Sequence, residues 1–193
     1  MKILHISDTH GKHHQLKDLP EADVVVNTGD ITEDGTEEEV KDFIEWFCSL
    51  PYKHKIFIAG NHDDCLYGAN IEGMPDNMHY LCNDGITIDG IKFYGVPMFV
   101  EDDLEGNFPE MFGRIPDDTD VLLTHQPPLG ILDEQDGINY GDYTLYKRVM
   151  DVRPKYHLFG HLHHTEKTQE VFRRVRFSNA AGGKYGRYAL LTI

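Results

Sequence analysis

Five short segments of the sequence place metal-ligating side chains directly after an apolar, strand-like run. They are DTH at 8–10, NTGD at 27–30, GNHD at 60–63, the single His125 and GHLH at 160–163. One such segment alone would be an ordinary polar turn after a buried strand. Five of them indicate a shared site, because ligands of α/β sheets bind outside the carboxyl ends of the strands.

The side chains of these segments that we consider as candidates are carboxylates, imidazoles and one amide, a mixture that suits Mn, Fe or Zn. The collected residues are Asp8, His10, Asp30, Asn61, His62, His125, His161 and His163. No Cys is among them, which argues against a structural zinc site. Seven can serve as ligands, too many for one tetrahedral ion. Two ions ~3.5–4 Å apart that share a bridging ligand would use them all, and such pairs catalyse in-line displacement at phosphorus.

Strand-like runs precede all five segments and predict the sheets that must position them. These runs occupy residues 2–7, 23–27, 55–60, 121–124 and 156–160. Strands alternate with helices only in the first half, and the C-terminal third reads as strand after strand. We therefore predict a mixed α/β domain with βαβ units first and an antiparallel region later.

Helices are predicted where apolar residues recur at helical spacing. The strongest pattern covers 36–50, with Thr36 and Glu39 placed as a capping box. A second helix is predicted over 142–151 and a short one around 14–19. We assign the apolar stripe of the first helix to the core.

Two long stretches that contain Gly and Pro, 99–118 and 129–142, are expected to be loops that select the substrate. The side chains in them that could contact a leaving group are Phe99, Phe108, Arg114 and Tyr140.

Length and composition narrow the class of protein. A chain of 193 residues suits a single domain, 1–193. A formal charge of −15, from 33 acidic and 18 basic residues, argues against binding to long nucleic acid. No segment approaches the ~18 apolar residues of a membrane span. The three cysteines suggest reduced thiols, and the first residues lack the pattern of a signal peptide. We expect a cytoplasmic protein with a small-molecule substrate and no membrane partner.

In this order, the five segments resemble the motifs of the calcineurin-like metallophosphoesterase family. The longer stretches SLPYKHKIFIAGNHD, LLTHQPPLG and VRPKYHLFGHLH resemble its branch of small metallophosphoesterase-domain proteins, which includes phosphodiesterases. The motifs span residues 8–163. The resemblance implies a four-layer αββα sandwich, in which two mixed β-sheets are flanked by helices. It also implies two divalent transition-metal ions, with Mn preferred and Fe, Zn or Ni as alternatives.

The resemblance further implies a role for each motif residue. The first metal would be held by Asp8, His10, Asp30 and His163. Asp30 would bridge to the second metal, and the ligands completing that site would be Asn61, His125 and His161. His62 would be no ligand; it would face the substrate and protonate or stabilise the leaving alkoxide. Some animal members have Gly in place of the first His of the last motif, whereas this chain keeps His161.

The expected reaction is hydrolysis of a small phosphodiester, with a cyclic nucleotide as one candidate, by attack of a metal-bound hydroxide. Two divalent ions would outweigh the negative charges of Asp8, Asp30 and a bridging hydroxide, so an anionic phosphate could bind to an acidic protein. A phosphomonoesterase and a catalytically silent metal-binding scaffold are the alternatives. Protein Ser/Thr phosphatases of the superfamily are disfavoured, because GDITEDG lacks their Asp-Arg-Gly triplet.

Two expectations concern the surroundings of the site. Glu33 or Asp63 could orient His62 through its other ring nitrogen, although the simpler interpretation of each is an ordinary loop carboxylate. The remaining histidines are expected to be non-ligands, although three of them, His13, His14 and His164, are near enough in sequence to reach the rim. These remaining histidines are His5, His13, His14, His54, His79, His157 and His164.

Overall fold

The computed structural model describes residues 1–165 and 168–193, which form two mixed β-sheets with helices on their outer faces. The strands are β1 (Lys2–Ile6), β2 (Val24–Asn27), β3 (His54–Phe57), β4 (Met78–Tyr80), β5 (Asp84–Ile88), β6 (Ile91–Val96), β7 (Val121–Thr124), β8 (Glu134–Gln135), β9 (Ile138–Asn139), β10 (Tyr156–Phe159), β11 (Gln169–Phe172), β12 (Val175–Asn179) and β13 (Ala189–Thr192). The α-helices are α1 (Glu37–Ser49), α2 (Val100–Glu105), α3 (Phe108–Gly113) and α4 (Tyr143–Val152).

The first sheet has the strand order β13-β1-β2-β3-β4, and the second has the order β11-β12-β10-β7-β6-β5. The pairs β1–β2, β2–β3 and β3–β4 are parallel, as are β6–β7, β7–β10 and β10–β12. The predicted antiparallel C-terminal region is thus only partly right. β11–β12 and β13–β1 are antiparallel, but β12 runs parallel to β10, because β11 reverses the chain at the outer edge of the sheet.

Three apolar layers separate the sheets and helices. One layer lies between α1 and the first sheet and includes Phe43 and Phe47. A second packs α3 and α4 against the second sheet, with Phe112 and Leu145 fully or almost fully buried. The third joins the two sheets face to face. Because strand residues alternate between faces, Leu4 of β1 belongs to the helix-facing layer, and Ile3 belongs to the layer between the sheets. The predicted four-layer αββα sandwich is confirmed.

The two longer helices begin as the sequence predicts. The Thr36 hydroxyl accepts a hydrogen bond from the Glu39 amide, and the Glu39 carboxylate accepts one from the Thr36 amide, so the capping box at α1 is formed. Asp142 caps α4 in the same position. The predicted helix around 14–19 is wrong. A single 3-10 turn, His13–Gln15, stands there, and Asp18 takes a φ of 55°, which a helix does not allow.

The stretch 99–118 is not the expected loop. It folds into α2 and α3, and Gly106 separates them with a φ of 72°. Phe99 and Phe108 are buried in the core and cannot contact a substrate at the surface. The stretch 129–142 holds the two-stranded ribbon β8–β9. None of the helices in the described residues is long and apolar enough to cross a membrane.

Candidate metal centre

The carboxyl ends of five parallel strands from the two sheets converge on one cleft. β1 leads to Asp8 and His10, β2 to Asp30, β3 to Asn61, β7 to His125, and β10 to His161 and His163. Backbone hydrogen bonds join the segments after the strands, including Asp8 N to Gly29 O (2.9 Å) and Gly160 N to His125 O (3.1 Å). The parallel topology therefore brings together the segments that the sequence singles out.

One half of the cleft is formed by Asp8, His10 and His163. The His163 Nε2 lies 2.8 Å from the Asp8 Oδ1, and the His10 Nε2 lies 3.3 Å from the His163 Nε2. Ligand atoms of these three residues all lie within 4.8 Å of one another. Two imidazole nitrogens and a carboxylate oxygen so arranged can hold a divalent ion.

The other half is formed around Asp30 and His125. The Asp30 Oδ2 lies 3.3 Å from the His125 Nε2 and 3.6 Å from the His10 Nε2. This oxygen is therefore placed between the two halves, where a bridging ligand belongs. The His161 ring packs edge-on against that of His125, with 5.1 Å between centroids.

Several buried nitrogen and oxygen atoms of the cleft that could bind a metal lack a hydrogen-bond partner among the described residues. They include His125 Nε2 and Asn61 Oδ1. Buried polar atoms are nearly always satisfied, so such atoms call for a ligand. The His125 Nδ1 is 2.8 Å from the Thr28 carbonyl, which can only accept, so Nδ1 carries the hydrogen and Nε2 is directed at Asp30. The residues present therefore fit two divalent ions.

The charges in the cleft favour a cation. Burial by itself would raise the pKa of Asp30. The nearby His125, the His62 amide and His10 lower it by more than burial raises it, so the pKa of Asp30 is far below its usual range. Burial lowers the pKa of His125, but Asp30 and Asp8 raise it to about 10. Buried carboxylates thus stabilise positive charge at this imidazole. Protons and metal ions compete for that position, because a metal binds only the deprotonated ligand.

His62 is held at the edge of the cleft by its backbone and its ring. Its amide donates to the Asp30 Oδ1 (2.9 Å), and its Nδ1 lies 2.9 Å from the backbone carbonyl of Glu33. The ring is 4.8 Å from the His10 ring, centroid to centroid. Glu33 therefore orients this ring through its main-chain carbonyl, and the alternative in which a carboxylate of Glu33 or Asp63 does so is wrong.

Asp63 has a role that the sequence did not reveal. Fully buried, it accepts hydrogen bonds from the Gly60 amide (2.8 Å), the Thr32 amide (2.9 Å) and the Thr32 hydroxyl (2.9 Å). It therefore ties the segment carrying Asn61 to the segment that follows Asp30. Burial and the nearby charge of Asp30 raise the pKa of Asp63 to about 6.

Four of the candidate ligands have left-handed backbone conformations. Asp8, His10, Asp30 and His161 have φ values of 55°, 45°, 51° and 72°. Such conformations are uncommon for residues with a side chain, and they concentrate at functional sites. The tight turns are aided by Gly60 and Gly160, where a Cβ would collide with the carboxylates of Asp30 and Asp8, respectively.

A layer of polar side chains between the sheets supports the cleft. The His5 Nε2 lies 2.9 Å from the Thr28 hydroxyl and its Nδ1 lies 3.0 Å from the Ser178 hydroxyl. Thr28 is the residue whose carbonyl fixes His125. Thr28 thus connects His5 to His125 by hydrogen bonds at its side chain and its carbonyl. The individual sequence motifs do not reveal this connection.

Comparisons with known proteins agree with this geometry. A family model described as calcineurin-like phosphoesterase matches residues 1–165. A UPF0046 protein of Caenorhabditis elegans is 36% identical over an alignment of 186 residues that covers 84% of this chain and 63% of that protein. The human metallophosphoesterase domain-containing protein 1 is 34% identical over an alignment of 195 positions, which covers 82% of this chain and 59% of the human protein. The chain thus spans about six tenths of the length of these relatives.

A solved structure, described as a novel archaeal phosphodiesterase, has the same fold. It aligns with a TM-score of 0.51 at 15% identity, over 100% of both chains.

Proposed function

This chain belongs to the calcineurin-like phosphoesterase family, and we propose that it hydrolyses a small phosphodiester with two divalent metal ions. The observation that carries the proposal is the position of the Asp30 Oδ2, between the His10 Nε2 at 3.6 Å and the His125 Nε2 at 3.3 Å. A carboxylate oxygen between two imidazoles of separate ligand groups is suited to bridge two ions.

The ligand assignment follows the two halves of the cleft. Asp8, His10, Asp30 and His163 would hold the first ion. The second would be held by Asp30, Asn61, His125 and His161. Two bound ions supply Lewis-acid polarisation of phosphoryl oxygens and lower the pKa of a bound water to ~7. We propose Mn²⁺ as the native metal because nitrogen and oxygen ligands without thiolate suit it, with Fe, Zn or Ni as alternatives.

The chain itself would contribute a proton donor. Burial lowers the pKa of His62, but the Glu33 carbonyl and the charges of Asp30, Glu33 and Asp63 raise it above its ordinary value. With Nδ1 held by the Glu33 carbonyl, Nε2 is the nitrogen left to protonate a leaving oxygen. General acid catalysis of this kind contributes roughly 10²–10⁴-fold in rate.

A negative group at the rim supports a diester rather than a monoester substrate. The Glu33 Oε2 lies 3.6 Å from the His10 Nδ1, and the side chain is half exposed. A monoester carries up to two negative charges near neutral pH and a diester only one. Glu33 therefore repels the monoester more strongly, and the segment after Asp30 offers no Arg to clamp a second charged oxygen.

The compartment is proposed from the thiols. Cys48, Cys65 and Cys82 are free, which supports a reducing environment such as the cytoplasm. Long nucleic acid is not proposed as a substrate, because the chain carries a formal charge of −15.

The experiment uses metal-stripped protein reloaded with Mn²⁺. Bis(p-nitrophenyl) phosphate and p-nitrophenyl phosphate are assayed in parallel, with Asp30→Asn as the control for contaminating activity. Metal-dependent hydrolysis that favours the diester and disappears in the variant supports the proposal. Preference for the monoester would identify a phosphomonoesterase. No turnover of these or of cyclic nucleotides, with two metals bound, would leave two options, a highly selective enzyme or a metal-binding scaffold.

A further inference from the structure

Three further ligand-type side chains converge beside α1, outside the cleft. His13 and His14 belong to the 3-10 turn after β1, and Asp42 lies on α1. The His13 Nε2 is 3.1 Å from the Asp42 Oδ2, and the His14 Nε2 is 3.1 Å from the Asp42 Oδ1. One ligand atom from each of the three residues lies within 4.8 Å of the others. The two imidazoles thus face one carboxylate from the same side.

His13 is the buried member of this group. Its side chain is 0% exposed, and its ring packs against Phe43 and Trp46, at 5.5 and 5.0 Å between centroids. Its Nε2 is directed at the Asp42 carboxylate, 3.1 Å away. A ring nitrogen that faces a carboxylate needs either a proton or a metal ion between the two groups, so this position can be taken by a metal.

The spacing of the three ligand atoms suits a small transition-metal ion. With metal–ligand bonds of ~2.0–2.1 Å in a tetrahedron, neighbouring ligand atoms are about 3.3 Å apart. The two nitrogen–oxygen distances, from His13 to one oxygen of Asp42 and from His14 to the other, are both 3.1 Å and close to this value. Imidazoles favour Zn²⁺ and its neighbours over Mg²⁺ or Ca²⁺. His14 and Asp42 are 60% and 54% exposed, so the group is open to solvent on the side opposite the buried His13.

We propose that His13, His14 and Asp42 form a separate, peripheral site for a Zn²⁺-like divalent ion, with its fourth position open to solvent. The ion would clamp the turn His13–Gln15 to α1. Because His13 follows His10 by three residues, the clamp would also restrain the segment that carries a ligand of the cleft. This proposal differs from the sequence-based expectation that His13 and His14 are non-ligands; Asp42, which both rings face, lies 28 residues beyond His14 in the sequence.

The test compares the metal content of the intact chain with that of variants. Protein stripped of metal is reloaded with Zn²⁺, passed through a desalting column and analysed for zinc by mass spectrometry. Asp42→Asn and His14→Gln are the test variants, since both side chains are exposed. Glu45→Gln, an exposed carboxylate on the same helix, is the control. Circular dichroism establishes that each variant is folded.

We expect both test variants to bind one equivalent of zinc fewer than the intact chain, and Glu45→Gln to bind as much. In Co²⁺-loaded protein, a visible absorption band of a tetrahedral nitrogen–oxygen site should weaken in the test variants alone. Equal zinc content in the intact chain and in both test variants would overturn the proposal. This difference does not depend on how many ions the cleft binds or on catalysis.

Discussion

Fully buried histidines lie both between the sheets and in the cleft, and of these two groups only the one in the cleft is suited to bind metal. Between the sheets, His5 and His157 contact hydroxyl groups: His5 those of Thr28 and Ser178, and His157 that of Thr124 at 2.9 Å. In the cleft, His125 faces the Asp30 carboxylate instead. Burial lowers the pKa of His5 and of His157 to about 3.

The contrast shows that burial alone does not make a histidine a metal ligand. His125 is as deeply buried as His5, yet Asp30 and Asp8 outweigh the effect of burial and raise its pKa to about 10. A hydroxyl that hydrogen-bonds to a neutral ring nitrogen brings no net charge to be compensated. A buried carboxylate must be compensated by a proton or a metal ion. The predictions below test this difference, beginning with the largest expected effect.

Asp30→Asn should remove the charge that distinguishes the cleft from the layer between the sheets. We expect loss of at least one bound metal and a fall in diester hydrolysis of about 10³-fold, corresponding to about 4 kcal/mol of transition-state stabilisation. Metal analysis and steady-state kinetics on the same preparation measure both. A variant that retains two metals and most of its turnover would contradict the bridging role of Asp30.

His62→Ala should separate the proton donor from the metal ligands. We expect unchanged metal content and about 10²-fold slower hydrolysis of a diester with an alkyl leaving group. With p-nitrophenolate, which needs no proton to leave, the loss should be much smaller. Loss of a bound metal in this variant would show instead that His62 is a ligand, together with His10 and Asp30.

Asp63→Asn should test the support of the cleft by a residue that is itself no ligand. The amides of Gly60 and Thr32 each donate a hydrogen bond to a different oxygen of the Asp63 carboxylate. In the variant an NH₂ group replaces one of these oxygens, so one of the two backbone amides loses its acceptor. We expect metal affinity to fall about 10- to 100-fold, as is typical when a residue that positions the metal ligands by hydrogen bonds is replaced. Asp64→Asn, at the exposed neighbouring position, is the matched control. Equal affinities of the two variants would show that Asp63 has no such role.

His157→Gln should change the pH dependence of stability. The folded chain keeps His157 neutral, because burial and nearby His5 lower its pKa from 6.5 to about 3. Below pH 6.5 the unfolded chain binds a proton that the folded chain does not, so stability is lost as pH falls towards 3. Without this histidine, the loss of unfolding free energy between pH 7 and pH 5 should shrink by about 2 kcal/mol.

Urea unfolding of metal-free protein at the two pH values measures this difference. His54→Gln, at the start of β3, is the control. An unchanged pH dependence in His157→Gln would mean that this ring takes up a proton between pH 7 and pH 5 in the folded chain as it does in the unfolded chain. His157 would then not be held neutral by burial, and the contrast with His125 would be lost.

The sequence predicts where the candidate ligands lie in the fold, because each of them follows a strand of recognisable pattern. Asp8, Asp30 and His125 stand where parallel strands end, and topology then brings those ends together. The first helix was predictable for a similar reason, since its cap and its apolar stripe are both local.

What the sequence does not show depends on contacts between distant segments. The role of Asp63 arises from the turn between Asp30 and Thr32, and the pairing of His14 with Asp42 spans 28 residues. The left-handed φ of His10 and His161 is set by the turns that the surrounding strands impose, against the intrinsic preference of histidine. α2 and α3 were missed because each is only six residues long.

The most direct test of the central claim is an anomalous-difference map, recorded at the manganese absorption edge from crystals of Mn²⁺-reloaded protein. We expect two peaks in the cleft, ~3.5–4 Å apart, with the Asp30 carboxylate bound to both. His10 and His163 should contact one peak, and His125 should contact the other. A single peak in the cleft, or two peaks of which Asp30 contacts only one, would contradict the dinuclear site.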